Sequence, residues 1–237
     1  MELSTTVTNW LWFGFFGMAA GTVALYFLSF QLKTVEKYHA YTAAAITSIA
    51  ALAYYAMANG QAVLMVNNKS VFLARYIDWL ITTPLLILSL VFLAYSADKD
   101  SVGIRQKLGV VASAIFADMV MIVTGVFANL SSNSSNRNFW YVIGCLAFIV
   151  VLGVLYGPVR SSAKSLSVSS GKAYTNLLNY LMVLFFVYPI VWVFGTSGNS
   201  TISLNSEVAI YAVLDLLAKV GFGLLIVKSV KKLKSAV

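Results

Sequence analysis

The stretch SEVAIYAVLDLLAKVGFGLLIVKS, residues 206–229, decides the fold. It is long enough to cross the roughly 30 Å hydrocarbon core of a bilayer as a helix. Asp215 and Lys219 interrupt its apolar middle. Counted from Glu207 and Lys228, the lysine lies about 18 Å from one end and about 14 Å from the other. A lysine side chain does not readily reach water over that distance, so a partner within the membrane is expected.

Two readings of Lys219 are open at this point. The amine pairs with a carboxylate and holds two helices together, or it condenses with an aldehyde cofactor to form a Schiff base. Asp215 precedes Lys219 by four residues and therefore lies on the same helical face. The depth of the lysine favours neither reading.

Six more apolar stretches precede this one. The seven cover residues 9–31, 38–59, 71–96, 106–130, 138–160, 173–195 and 206–229. The chain is 60% hydrophobic and 10% charged, whereas soluble domains are roughly 45–50% apolar and about 25% charged. These values exclude a soluble enzyme and a disordered tail, and the single cysteine, Cys145, excludes a disulfide framework. We predict an all-α membrane protein in which residues 1–237 form one seven-helix transmembrane domain.

The basic residues predict the orientation of the chain. Twelve of the 16 lysines and arginines fall in alternate polar breaks, such as 97–105, or at the C-terminal end. Only Lys69 and Arg137 fall in the other breaks. The positive-inside rule therefore predicts an extracellular N-terminus and a cytoplasmic C-terminus. The net charge of +8 is thus an orientation signal, so nucleic-acid binding is not expected. The segment 60–70 is expected to form a short extracellular hairpin.

The third stretch carries further polar residues at membrane depth. In order along one helical face they are Arg75, Asp78, Thr82 and Ser89. Ser89 lies about 16 Å further toward the cytoplasm than Asp78. A buried cation between Asp78 and Asp215 would keep its charge, because opposite charges favour the charged form. A purely structural ion-pair cluster satisfies the same pattern.

Several motifs make the chain resemble the microbial (type 1) rhodopsins, in particular the bacteriorhodopsin-like proton pumps. They are RYIDWLITTPLL at 75–86, YPIVW at 188–192, LDLLAKVGFG at 214–223, NWLW at 9–12 and LYFL at 25–28. The likeness extends through all seven stretches. The lysine and Asp-Trp motifs are highly specific for this family.

The resemblance implies all-trans retinal, bound to Lys219 as a protonated Schiff base. Asp78 would be the counterion and the primary proton acceptor, with Asp215 as the second counterion. Light would isomerise the retinal and send the proton to Asp78, and Arg75 would relay the change toward the outside. Glu207 matches a proton-release position. It could also be an exposed loop acid.

The resemblance also implies the walls of the retinal pocket. By position they are Tyr54, Trp79, Leu86, Met121, Thr124, Tyr141, Phe148, Phe185, Tyr188 and Trp192. Asp118 matches a buried carboxyl group near the ring end of retinal, which is expected to be protonated and hydrogen-bonded to a hydroxyl. Phe185 replaces the tryptophan common in the family. Ser197 replaces the usual companion carboxylate of Glu207, so proton release is expected to be delayed or to follow another route.

The triplet Asp78, Thr82 and Ser89 bears on the kind of rhodopsin. Chloride pumps usually lack the first carboxylate, sodium pumps commonly carry Asn-Asp-Gln, and inward pumps of the xenorhodopsin type usually lose the aspartate that Asp215 retains. Outward proton pumping is therefore expected. Efficient pumps often have a carboxylic acid at the position of Ser89. A sensory rhodopsin with slow reprotonation is thus the alternative, although no transducer is visible in the short basic tail.

The remaining expectations concern surroundings and partners. His39, near the cytoplasmic start of the second stretch, is expected to be solvated or at headgroup level. We expect a multi-pass protein of the plasma membrane whose partners are protons and lipid, with no metal site and no enzymatic activity. Relatives form trimers or pentamers, so a homo-oligomer is expected. A seven-helix transporter or scaffold without chromophore is a further class to exclude.

Overall fold

The computed structural model describes residues 3–95 and 101–234. Residues 96–100, and with them the first four residues of the predicted polar break at 97–105, lie outside this description. Among the described residues, seven helices are long and apolar enough to cross a membrane. The prediction of an all-α membrane protein with seven transmembrane helices is therefore confirmed.

Five of the crossings are uninterrupted helices. They are α1 (Thr5–Ser29), α2 (Thr34–Ala58), α3 (Leu73–Tyr95), α4 (Ser101–Leu130) and α7 (Val168–Phe194). The other two each contain a π-helical turn. The fifth crossing consists of α5 (Ser134–Val154), the turn Leu155–Val159 and α6 (Arg160–Leu166). The seventh consists of α8 (Leu204–Leu216), the turn Leu217–Gly221 and α9 (Phe222–Lys234).

Most helices begin several residues before the predicted apolar stretches because polar residues cap them. The hydroxyl of Ser4 accepts a hydrogen bond from the backbone N–H of Val7. Ser167 and Ser203 cap α7 and α8 in the same way. A capping side chain satisfies backbone donors that the helix leaves free. Hydropathy does not detect these residues, since they lie outside the apolar core of each span.

The predicted hairpin between α2 and α3 is confirmed. Strand β1 (Val63–Val66) pairs with the antiparallel strand β2 (Lys69–Phe72). The two turn residues, Asn67 and Asn68, have φ angles of 51° and 60°. Asparagine tolerates this left-handed region better than most residues, and two-residue hairpin turns require it.

Close packing of α1 positions the seventh crossing. A Cβ atom on Gly17 would lie 2.6 Å from Leu216, and one on Gly21 would lie 2.4 Å from Val220. Small residues let membrane helices approach closely. The π-helical turn Leu217–Gly221 is thereby held against the middle of α1, deep in the bundle.

Candidate functional site

Lys219 lies in the π-helical turn of the seventh crossing, with 2% of its surface exposed. Its Nζ donates hydrogen bonds to Oδ2 of Asp78 and to Oδ1 of Asp215, the second at 3.2 Å. Asp78 comes from α3 and Asp215 from α8, one turn before the lysine. The structure therefore brings together the amine and both carboxylates that the sequence singled out.

Three further donors surround Asp215. Its Oδ1 accepts hydrogen bonds from the hydroxyl of Tyr188 at 2.8 Å and from Nε1 of Trp79 at 3.2 Å. Its Oδ2 accepts one from the hydroxyl of Tyr54 at 2.8 Å. Hydrogen bonds to a carboxylate stabilise its charged form. These bonds engage both carboxylate oxygens of Asp215 and fix the position of the group.

Asp78 is less completely bonded. Its Oδ2 pairs with Lys219, while its Oδ1 is buried without a hydrogen-bond partner among the described residues. The hydroxyl of Thr82 donates to the backbone oxygen of Asp78, at 2.8 Å, rather than to the carboxylate. An unbonded carboxylate oxygen can take up a proton without breaking an existing contact. The two carboxylates beside the amine are thus chemically different.

An apolar cavity opens beside Lys219. Its walls include eight of the ten predicted pocket residues: Trp79, Leu86, Met121, Tyr141, Phe148, Phe185, Tyr188 and Trp192. Tyr141 and Trp192 stack with ring centroids 5.0 Å apart. A long apolar aldehyde such as retinal fits this arrangement, because a reactive amine lies at the edge of a cavity that is otherwise lined by rings and aliphatic groups.

The other two predicted wall residues do not line the cavity. Tyr54 lies behind Asp215 and bonds to it. The hydroxyl of Thr124 donates to carbonyl oxygens of its own helix, at 2.7 Å to Val120 and 3.0 Å to Met121. It packs against Gly144, where a Cβ atom would lie 3.0 Å from the Thr124 oxygen.

Sequence reasoning missed several cavity residues. They are Tyr76, Thr83, Ile122, Gly125, Gly144, Cys145, Pro189, Tyr211 and Ala218. Helical periodicity could have found two of them, since Tyr76 and Thr83 lie one turn before and after Trp79. The two glycines carry no such signal, because their contribution is the space that they leave.

Asp118 is hydrogen-bonded to Thr83, which lines the cavity. It is fully buried, and its Oδ2 accepts a hydrogen bond of 2.7 Å from the Thr83 hydroxyl. The expected bond to a hydroxyl is confirmed. The protonation of Asp118 stays a prediction.

Arg75 and Glu207 form the next layer beyond Asp78. Their side chains are 3.7 Å apart, and the Arg75 guanidinium lies 4.5 Å from the ring centre of Tyr211. Glu207 is only 2% exposed, and its Oε2 accepts hydrogen bonds from the N–H and hydroxyl of Thr196, at 2.7 Å and 2.6 Å. The reading of Glu207 as an exposed loop acid is therefore wrong. Helix α8 begins at Leu204, so Glu207 lies in its first turn and points inward.

On the other side of Lys219, the bundle is apolar around Ser89. The Ser89 hydroxyl is buried and donates to the backbone oxygen of Leu85 at 3.0 Å. Leu86, Ile87 and Leu90 belong to the surrounding buried cluster. Asp78 is the only acid within Leu73–Tyr95.

His39 was expected to be solvated or at headgroup level; it is not solvated, and its depth relative to the headgroups stays a prediction. The side chain is 5% exposed, whereas its neighbour Tyr38 is 41% exposed and Tyr41 is 44% exposed. The Tyr38 ring contacts the ring of Phe92 on α3 from the outside of the bundle. The two tyrosines lie on the outer face of α2, so His39 is turned toward the interior.

Comparisons with known proteins agree with this geometry. The sequence model of the family described as Bacteriorhodopsin-like protein matches residues 5–233. A bacteriorhodopsin of Haloterrigena sp. (strain arg-4) is 38% identical over 93% of this chain and 86% of its own length. Sensory rhodopsin-2 of Natronomonas pharaonis is 32% identical over 97% of this chain and 91% of its own length.

A solved structure also shares the fold. The crystal structure of the light-driven proton pump rhodopsin of Coccomyxa subellipsoidea superimposes with a TM-score of 0.86 at 35% identity. The match covers 96% of this chain and 98% of that one. The chain belongs to the bacteriorhodopsin-like family of type 1 microbial rhodopsins, multi-pass membrane proteins whose members bind retinal through a lysine.

Proposed function

We propose that this chain is a light-driven outward proton pump that carries all-trans retinal on Lys219. The observation that supports this most strongly is the buried Lys219 amine, which lies between two carboxylates at the edge of an apolar cavity. Retinal bound to this amine as a protonated Schiff base would supply light absorption and a light-driven change of shape. The chain supplies everything else, namely the position of the chromophore and the path of the proton.

The cavity residues orient the chromophore and exclude water. Trp79 and Tyr188 are in edge-to-face contact, with centroids 5.2 Å apart, and both also bond to Asp215. The same side chains therefore shape the wall and fix the counterion. Such coupling holds a reactive group in one geometry better than separate supports would.

Asp78 is the proton acceptor in this proposal. It is in direct contact with the Lys219 nitrogen, and its second oxygen is free of hydrogen bonds from described residues. Asp215, with its three additional donors, remains charged and stabilises whichever cation is present. Two carboxylates in unlike environments divide the roles of acceptor and fixed counterion.

Arg75 and Glu207 continue the path away from the lysine. Neutralising Asp78 removes a negative charge from one side of Arg75, so the guanidinium is drawn more strongly to Glu207. A guanidinium that lies closer to Glu207 favours loss of a proton from the Glu207 end of the bundle. The N-terminal ends of α1 and α8 lie there, and the basic residues Lys33, Arg160 and Lys228 lie at the opposite end. By the positive-inside rule, release from the Glu207 end is outward.

A sensory rhodopsin is the second candidate. It is favoured by the absence of any acid in Leu73–Tyr95 apart from Asp78 and by the Ser89 hydroxyl, which is bonded to its own helix. Serine has no titratable proton near neutral pH. Slow return of a proton to Lys219 would prolong a signalling state.

The setting of the pump completes the proposal. We infer that residues 1–237 act as one transmembrane domain in the plasma membrane, with a cytoplasmic C-terminus. We further infer assembly as a trimer or pentamer without a transducer. Protons and lipid are the only partners required, and we assign no metal and no enzymatic reaction.

The test is external pH in illuminated cells that express the protein with retinal. Outward pumping acidifies the unbuffered medium, and a protonophore abolishes the effect. Asp78→Asn should remove this acidification, because the acceptor can no longer take the proton. Asp118→Asn is the matched control, since it makes the same substitution at another buried aspartate, one outside the proposed path. Continued pumping by Asp78→Asn would refute the acceptor assignment.

A second measurement separates the candidate functions. Hydride reduction followed by mass spectrometry should find retinal attached at position 219, which a chromophore-free transporter or scaffold would not show. A pigmented protein that gives no acidification and recovers slowly after a flash would be a sensor.

A further inference from the structure

His39 is a buried titratable group that the proposed pump does not yet use. It is the only histidine in the chain, it is 5% exposed, and its Nδ1 has no hydrogen-bond partner among the described residues. Buried polar atoms in proteins are nearly always paired. A side chain that served only to fill space at this position would be expected to be apolar.

The height of His39 in the bundle follows from its neighbour. The ring of Tyr38 contacts the ring of Phe92, with centroids 4.7 Å apart. Phe92 lies three residues beyond Ser89 in α3, a rise of about 4.5 Å. His39 therefore lies at a height about one helical turn beyond Ser89, on the side away from Lys219. This level lies between the end of the bundle and the apolar region around Ser89.

His39 belongs to a row of buried polar side chains on α2. Glu36 and Thr42, one turn to either side, are each 9% exposed. Oε2 of Glu36 accepts a hydrogen bond of 3.2 Å from the backbone N–H of Lys33, at the start of the helix. The row thus leads from the end of the bundle inward, and its members share one helical face.

Few other titratable groups lie at this end of the helices that pack against α2. They are Tyr26 on α1, Tyr95 on α3, and Lys228, Lys231 and Lys232 on α9. The three lysines are exposed, and Lys231 bonds to Gln31. Lys37 of α2 itself is half-buried. His39 differs from these groups in being buried and in having two ring nitrogens, one able to accept a proton while the other donates one.

We propose that His39 is the proton relay that returns a proton from the cytoplasmic side toward Lys219. The proposal rests on the proposed function, since it supplies the step for which Ser89 has no titratable group. The imidazole takes a proton from the cytoplasm and, as imidazolium, gives one through ordered water and the Ser89 hydroxyl to Nζ of Lys219. The imidazole is then neutral again. One proton enters and one leaves, so charge and atoms balance.

The kinetic test uses purified holoprotein in lipid vesicles. Recovery of visible absorption after a flash reports the return of the proton to Lys219. His39→Gln should slow this recovery about tenfold or more, because a general acid has been removed. In the wild type the rate should fall as pH rises, since fewer imidazoles carry a proton, whereas the variant should be slow at every pH. Azide, a small diffusible weak acid, should restore its rate.

Tyr41→Phe is the matched control, because Tyr41 lies on the same helix but faces outward. It should keep the wild-type rate and pH profile. A pigmented His39→Gln protein with the wild-type rate and profile would overturn the proposal. This kinetic readout does not depend on net transport. If the wild-type protein fails to acidify the medium, the proposed pump is wrong, and the same kinetic measurement still tests the relay.

A second measurement needs no variant. Because the chain has one histidine, 15N-histidine labelling gives a single imidazole to observe by solid-state NMR, provided that purification avoids a histidine tag. Freeze-trapping during illumination should reveal a change in its protonation. An imidazole that keeps one protonation state throughout the light cycle would overturn the relay, even if His39→Gln does not fold.

Discussion

At the scale of single residues, the site shows how environment differentiates identical side chains. Asp78, Asp118 and Asp215 are all buried, yet each has different partners. Asp215 has three neutral donors and the amine, Asp78 has the amine alone, and Asp118 has one hydroxyl. Because the number and kind of hydrogen bonds set the stability of a carboxylate, these differences support the roles that we propose for Asp78 and Asp215.

Tyr54→Phe tests the support of Asp215. The variant keeps the ring that packs against Gly14 but removes a 2.8 Å hydrogen bond to the carboxylate. Hydrogen bonds to charged groups contribute about 1.5–3 kcal/mol, so the free energy of unfolding should fall by that amount. Thermal loss of the visible band measures the change. The neighbouring Tyr55→Phe, on the outer surface, should have no such effect. Equal stability of both variants would mean that Tyr54 does not support the anion.

The residue scale is also where sequence reasoning reached its limit. The motif identified Asp215 and Lys219, because they are one turn apart in one helix. The partners Tyr54 and Tyr188 bond to Asp215 across 161 and 27 residues of chain. The resemblance named both as pocket walls, but only the fold shows that Tyr54 supports the counterion instead.

At the scale of helices, a hydrogen bond from α7 holds the π-helical turn Leu217–Gly221 in place. The carbonyl oxygen of Leu217 accepts the backbone N–H of Phe222 and also the hydroxyl of Tyr180 from α7, at 2.9 Å. A Cβ atom on Gly221 would lie 2.5 Å from that hydroxyl. The glycine therefore leaves room for a tyrosine that ties the lysine-bearing turn to the neighbouring helix. Turns of this kind are frequent at functional sites.

Tyr180→Phe should loosen this turn without emptying the space beside it. Loss of one neutral hydrogen bond predicts a decrease of about 1 kcal/mol in the free energy of unfolding. Gly221→Ala should be worse, because the added carbon forces Tyr180 to move. Visible absorption during heating measures both changes, with Tyr26→Phe on the outer surface as control. A Gly221→Ala protein as stable as the wild type would show that the contact is not needed.

The helices themselves were predictable, whereas the faces that they turn inward were predictable only where buried polar residues or the family resemblance marked them. Length and hydropathy are enough to locate a span, because the bilayer requires about 20 apolar residues. Lipid is as apolar as the interior of the bundle, so an apolar pattern does not reveal which side of a helix is buried. His39 illustrates this difficulty, since only contacts such as Tyr38 with Phe92 reveal that it faces inward.

At the scale of the whole molecule, the direction of the proposed transport depends on the orientation of the chain in the membrane. The proposed path Asp78, Arg75, Glu207 runs toward the end that carries the β1–β2 hairpin. If that end is extracellular, a proton leaving Lys219 along this path exits the cell. If it were cytoplasmic, the same chemistry would carry protons inward. The local geometry is the same in both cases, so the distribution of basic residues alone supports the outward assignment.

Single-cysteine labelling tests this orientation. In a Cys145→Ala background, Gln61→Cys places an exposed thiol near the hairpin, and Ser169→Cys places one at the start of α7, at the opposite end. A membrane-impermeant maleimide should label Gln61→Cys in intact cells and Ser169→Cys only after permeabilisation. Acidification of the medium together with this labelling pattern would support the proposed outward path from Lys219 to Glu207. The reverse labelling pattern would place Glu207 at the cytoplasmic face. His39 would then lie on the extracellular side, and the roles of proton release and proton return would have to be exchanged.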